Sequence, residues 1–202
     1  VILEGIVTTL NAEGGLNVAP MGPRLFAPFV LETGSAFELR PFRTSQTAAN
    51  LKHHPEGVLH TTDDVLLLAQ AAIGSVQPST RAAERIRGEI LLDACRALEF
   101  RIDSGDFSSE RLTLRASVIA VHHQRDFFGW NRAKHAVLEA AILATRTMLL
   151  PASEVLPEFD RFAVLVQKTG GEQEHQALAL LLAHVQAAYG VTPPSPQSAA
   201  QN

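Results

Sequence analysis

Residues 39–64 read LRPFRTSQTAANLKHHPEGVLHTTDD. An extended run into Phe42 brings Arg40 and Arg43 to Thr44, Ser45 and Thr47, where a short helical turn carrying Gln46 and Asn50 begins. Backbone N–H groups in the first turn of a helix have no intrahelical acceptor and favour an anion. Hydroxyls add donors, and an arginine fork matches two phosphate oxygens at once. The same residues also fit a plainer arrangement, in which Thr44 or Ser45 caps the helix and the arginines pair with Glu38 and other surface carboxylates. Both readings stand on the residues alone. Gly57-Val58-Leu59-His60 continues as a strand, and Asp64 to Ile73 reads as a short buried helix capped by Thr62 or Asp63.

Toward the N-terminus the chain reads as short strands. Ile2 to Leu10 alternates, Asn11 to Gly15 supplies a turn, and Leu16 to Met21 is extended, so the two runs form a hairpin. A third strand is expected over Phe26 to Glu32, demoted to an edge or bulge by Pro28, and a fourth over Ala36 to Phe42. Toward the C-terminus, Gln77 to Gly88 reads as a surface loop. Leu98, Phe100 and Ile102 then alternate with charged residues, as do Leu112, Leu114, Ala116 and Val118 further on, with Ser104-Gly105-Asp106 opening the loop between them.

From Asn131 the period becomes helical. Ala133, Ala136, Val137, Ala140, Ala141 and Ala144 share a stripe, which calls for cover from another element of this subunit or of a partner. Asn131 is a candidate cap and Pro151 the expected stop. A shorter helix over Ser153 to Phe162 and a last one through Leu178 to Tyr189 follow, with Lys168-Thr169-Gly170-Gly171 as the turn between them. Phe127, Phe128 and Trp130 stand before the long helix, either as packing that staples it or as the wall of a ligand pocket or dimer contact, with Arg132 offering positive charge. The organisation is therefore α+β: an antiparallel region over 1–122, a helical region over 123–190 and a disordered tail over 191–202.

Composition narrows the function classes. The chain has 202 residues, a net charge of -4 and 46% apolar residues, which suits an ordinary globular protein. One cysteine, Cys95, excludes a disulfide framework and points to a cytoplasmic setting, with the thiol buried and inert. No apolar run approaches the roughly 18 residues of a membrane span, and Val1 to Leu10 lacks the basic start of an export signal, so neither is expected. One Tyr, one Trp and an acidic balance argue against nucleic acid. No G-x-S-x-G elbow exists, and no catalytic residue can be named. No metal is expected either, because His53, His54, His60, Asp63 and Asp64 contain no His-x-x-x-His pair.

ILEGIVTTLN, NVAPMGP, LRPFRTSQTAANL, HTTDDVLLLA, DACRALEFRI, DFFGWNRAKHAVLEAAILATR and KTGG together resemble the family DUF447, within the FMN-binding split-barrel superfamily of flavin reductases. The resemblance implies an antiparallel FMN-binding split β-barrel with an appended C-terminal helical layer. It implies that Arg43, Thr44, Ser45 and Thr47 hold the FMN phosphate, with Gln46 and Asn50 beside them and Arg40 and Phe42 along the flavin's edge. Ala19, Pro20, Met21 and Gly22 would then run alongside the isoalloxazine, where Met21 packs on the ring. A homodimer with flavin near its interface is implied, as is oxidoreductase chemistry with a nicotinamide or other electron donor. The alternative in a different class is a dimer that binds FMN or another phosphorylated ligand without catalysis.

Overall fold

The computed structural model describes residues 1–74 and 76–191. The tail from 192 to 202 lies outside the described residues. The first compact unit spans Val1–Gly129 and the second starts at Trp130.

The first unit is an antiparallel sheet. β1 (Gly5–Leu10) and β2 (Leu16–Met21) form the expected hairpin, turned by Asn11, whose side chain accepts from Gly15 N–H at 2.6 Å. β3 (Arg24–Leu25), β4 (Ala36–Leu39), β5 (Glu56–Thr61), β8 (Arg96–Asp106) and β9 (Thr113–His123) complete a seven-stranded sheet in the order β2-β1-β5-β8-β9-β4-β3. The two ends of that order are one stretch of chain. The β1–β2 ladder continues past Met21 in the same register, through the bridge of Ile2 to Arg24 and the bonds from Leu3 N–H to Pro23 O and Leu25 N–H to Val1 O. Arg24 and Leu25 also pair with Glu38 and Phe37 of β4, so the sheet curls until its edges meet. Gly22 sits at the bend; a Cβ there would lie 2.7 Å from the Ile2 side chain.

Inside the curl, Val7, Phe37, Leu39, Leu51, Leu59, Leu98, Phe100 and Leu114 form the core, with Phe37 edge-on to Phe100 at 5.4 Å. Apolar area of this kind stabilises at roughly 25 cal/mol per Å². β1 is buried along its whole length, as a strand flanked on both sides must be.

Several expectations are corrected. Phe26 to Glu32 forms no strand: Phe29 has a φ of 61° and its N–H donates to Phe26 O at 2.7 Å, which makes a turn where a ladder was expected. Phe42 is not in β4 but makes an isolated bridge to Arg111. The segment 77–88 is more than a loop, because β6 (Thr80–Ala82) pairs with β7 (Glu89–Leu91), and Ile90, Ala83 and Ile86 cover Val58 and Ala97 on the sheet's second face. β8 runs through Ser104-Gly105-Asp106, so the turn lies beyond them. α2 (Val65–Ala72) is capped by neither Thr62 nor Asp63: Asp64 accepts from Leu67 N–H at 2.9 Å, while Thr62 accepts from Asp64 N–H.

The second unit is helical. α3 (Arg132–Ala144) starts where Asn131 accepts from Lys134 N–H at 3.1 Å, as expected, but it ends well before Pro151, which instead precedes α4 (Ala152–Thr169). α4 runs past Phe162 because Val155, Phe159 and Val166 continue its buried stripe, and it takes in Lys168 and Thr169, leaving Gly170-Gly171 as the turn. α5 (Glu172–Tyr189) follows, and the alanine stripe of α3 is buried against α4 and α5 of the same chain.

Candidate functional site

β4 hands the chain through Pro41 and Phe42 to α1 (Gln46–His53), whose cap is Ser45. Ser45 Oγ accepts from Ala48 N–H at 3.2 Å, and Ser45 N–H donates to Phe42 O at 2.9 Å, which tightens the turn. The plain capping role is therefore real for Ser45. The plain ion-pairing role is not met for Arg43, which is exposed, has no carboxylate partner among the described residues and donates to Ser108 O at 3.3 Å. Arg40 approaches Glu38 only at 4.0 Å. Thr44 and Gln46 are exposed, and of the first-turn N–H groups of α1, that of Ala48 is met by the Ser45 cap.

Thr47 and Asn50 are 2% exposed, and they tie the turn to the sheet. Asn17 Nδ2, on β2, donates to Thr9 Oγ1 and to Thr47 Oγ1, both at 3.1 Å. Asn50 Nδ2 donates to Thr9 Oγ1 at 2.9 Å, and Gln46 Nε2 donates to Asn50 Oδ1 at 2.6 Å. These bonds fix the helix start against β1 and β2, so the Arg43–Gln46 turn and the Asn17–Gly22 stretch belong to one place. β2 pairs with β1 on one side only, which leaves its other backbone edge open to a ligand beside Ala19 and Pro20. Met21 packs against the core.

The β8–β9 turn forms the other wall. Arg43 N–H donates to Glu110 O at 2.8 Å, and the Arg111 guanidinium lies 3.9 Å from the centre of the Phe42 ring. Asp106 accepts from both the N–H and the O–H of Ser108, which holds the Asp106 carboxyl below its usual range and braces the carbonyl that Arg43 uses. Thr9, Ser108 and Arg111 are absent from the sequence-derived set, and Asn17 belongs to it only as part of the Asn17–Gly22 strand, not as a tie to the helix. For Thr9 the available signal was the pair Thr8-Thr9 within an otherwise apolar strand.

His60, His122 and Cys95 serve the packing and hydrogen bonding of the first unit. His60 is fully buried, with Nε2 accepting from Leu91 N–H at 3.0 Å; Nδ1 therefore carries the proton and donates to Ile6 O at 3.2 Å. Burial pushes its pKa down to about 3. His122 donates from Nε2 to the buried Glu99 carboxylate at 2.7 Å. Burial raises the Cys95 thiol. No group of metal-ligating side chains exists among the described residues, and no described helix is long and apolar enough to cross a membrane.

Two models of one family match the sequence, the N-terminal domain of the protein of unknown function DUF447 over residues 3–125 and its C-terminal counterpart over 131–183. The chain belongs to DUF447. Among solved structures it is similar to an FMN-bound DUF447 protein from Methanosarcina mazei, with 22% identity, a TM-score of 0.75 and coverage of 91% of this chain and 94% of that one. Nitrilotriacetate monooxygenase component B from Bacillus cereus matches at 17% identity and a TM-score of 0.51, over 61% of this chain and 70% of that one. The flavin reductase HpaC complexed with NADP+ matches at 16% identity and 0.51, over 63% and 81%. No curated protein matches the sequence. DUF447 thus shares the split-barrel fold of flavin reductases.

Proposed function

We propose that the chain binds FMN, with the phosphate at the start of α1 and the isoalloxazine along β2, and that it uses the flavin as an oxidoreductase with an unassigned substrate. The observation that carries this reading is the Asn17–Thr47 link. It ties the Arg43–Gln46 turn to β2, which supports one ligand spanning both, in a chain that aligns nearly end to end with an FMN-bound member of its family. The residues suit the group. Arg43, the Thr44 hydroxyl and the first-turn N–H groups of Gln46 and Thr47 supply donors to a dianion, and Ser45 keeps its own O–H to donate while its oxygen caps the helix. Asn50 holds Gln46, Arg40 and Arg111 add positive charge, and Phe42 presents a ring edge.

FMN, when bound, supplies hydride or electron transfer. The chain binds the phosphate, aligns the ring by backbone contacts from Ala19 to Gly22 and offers the Arg111-covered Phe42 as an apolar neighbour. A homodimer with flavin near its interface is part of the proposal. It rests on the family likeness and not on α3, whose alanine face is already covered within the chain. The electron donor is a nicotinamide or another two-electron carrier.

Titration of FMN fluorescence tests the phosphate site. Arg43→Ala combined with Thr44→Ala weakens binding about tenfold or more, and unchanged affinity sinks the assignment of this turn. Anaerobic addition of NADH or NADPH to the flavin-loaded protein separates enzyme from holder, because bleaching at 450 nm or so marks reduction of the bound flavin. Intact colour with both donors favours the non-catalytic reading.

A further inference from the structure

A cavity of about 490 Å³ opens in the first unit where the curled sheet closes on itself. Leu3, Leu25, Phe29, Leu31 and Phe127 form its apolar walls, and Arg96, at the start of β8, stands among them. Two guanidiniums line this space, and they differ. Arg125 is spent, donating to Asp93 O, Asp126 O and the Asp63 carboxylate. Arg96 is half-buried, makes one hydrogen bond, from Nη2 to Leu31 O at 2.7 Å, and has no carboxylate partner among the described residues. A half-buried guanidinium with donors to spare and no carboxylate partner offers a two-pronged fork to a bound carboxylate.

Other lining groups agree with an anion whose body is apolar. Thr61 and Thr62 line the cavity, half-buried, and the Thr62 hydroxyl, whose oxygen accepts from Asp64 N–H, keeps its own proton to donate. Cys95 closes the floor, buried and neutral. Glu4 is the lining carboxylate, exposed at the rim where water and salt screen it. The wall also holds backbone strain. Phe29 keeps a φ of 61°, a conformation disfavoured for a bulky residue, and this places its ring against the space. The volume suits a small organic molecule.

We propose that this cavity binds a small monocarboxylate with an aromatic or aliphatic body, its carboxylate on Arg96 and its body among Leu3, Leu25, Phe29 and Phe127. This site is distinct from the α1 turn and does not depend on FMN being bound there.

Calorimetric titration of the full chain with 1-naphthoate and with the neutral 1-naphthamide tests it. Naphthoate binds saturably, one per chain, and more tightly than the amide. Arg96→Gln keeps a donor for Leu31 O but removes the charge; it lowers naphthoate affinity about tenfold or more and leaves naphthamide within about twofold. Leu3→Trp fills the cavity and weakens both. Arg43→Ala leaves naphthoate binding intact, so loss of FMN binding and loss of this site are separable. Equal affinity for acid and amide in the native chain, unchanged naphthoate binding in Arg96→Gln or Leu3→Trp, or no binding at all overturns the proposal. The native acid-to-amide ratio and Leu3→Trp decide the matter if Arg96→Gln fails to fold.

Discussion

Asn17, near the start of β2, donates to Thr47, in the first turn of α1, at 3.1 Å, although the two are 30 residues apart in the chain. The same amide nitrogen donates to Thr9, so one side chain joins two strands to a helix start. Asn17→Ala takes from the buried Thr47 hydroxyl the donor it has and leaves Thr9 with Asn50 alone, at a cost of about 1–3 kcal/mol. Urea denaturation measures that loss. FMN affinity falls in the same variant, although Asn17 is not among the proposed phosphate contacts; full affinity would mean that the turn holds its shape unaided.

His60 makes the fold acid-sensitive over a defined window. It is neutral in the native state, with a pKa of about 3 against about 6.5 when unfolded. Its contribution is whole above pH 6.5 and is lost as pH falls from there toward 3, because the unfolded chain takes up a proton that the native one refuses. The melting temperature therefore drops between pH 6.5 and 5. The carboxyls of Glu99 and Glu174, lowered in the fold, add their own loss only below about 4.5. His60→Gln flattens the upper part of this profile, and an unaltered slope there would count against the buried neutral ring.

Glu99 has no exposed surface, yet it is charged. Burial pushes its carboxyl up, and donors from Glu84 N–H at 2.8 Å, Arg85 N–H at 2.7 Å and His122 outweigh that, leaving it below its usual value. Glu99→Ala strands these donors, with about 2–5 kcal/mol lost across the group. Amide exchange at Glu84 and Arg85 reports it directly: both lose protection, ahead of the β8–β9 ladder.

Gly57 lies between β1 and β8, where a Cβ would stand 2.8 Å from both Thr8 O and the Phe100 ring. Gly57→Ala forces backbone or a core ring to move and destabilises by about 1–3 kcal/mol. Thermal unfolding measures this, and a neutral result would show slack in the core that the packing does not suggest.

Local patterns in the sequence carried much of the fold. The β1–β2 and β8–β9 hairpins follow from alternation over neighbouring residues, and the Asn131 cap from one side chain three residues ahead of its donor. Thr80–Ala82 was illegible because a three-residue strand has too few positions to show a period; its partner lies beyond Gly88. Phe26 to Glu32 misled in the opposite direction, its apolar content serving the cavity wall and core instead of a ladder. At the site, Arg43 to Asn50 are contiguous and so were readable together. Thr9, Asn17 and Arg111 reach them only where α1 and its turn dock on the two hairpins, a contact that the alternation within each hairpin does not encode.

The pairing of β4 with β9 also sets a schedule for biosynthesis. Phe37 finds its ladder partner in Ala116, and Arg43 N–H finds its acceptor in Glu110, both of which leave the ribosome long after the turn itself. Contacts so distant along the chain form late and slowly. A nascent chain ending anywhere before Glu110 holds every residue from Arg43 to Thr47 that is proposed to face the phosphate but lacks the Glu110 carbonyl that Arg43 N–H bonds. Acquisition of the proposed cofactor is therefore a post-translational step, or one confined to the last part of synthesis.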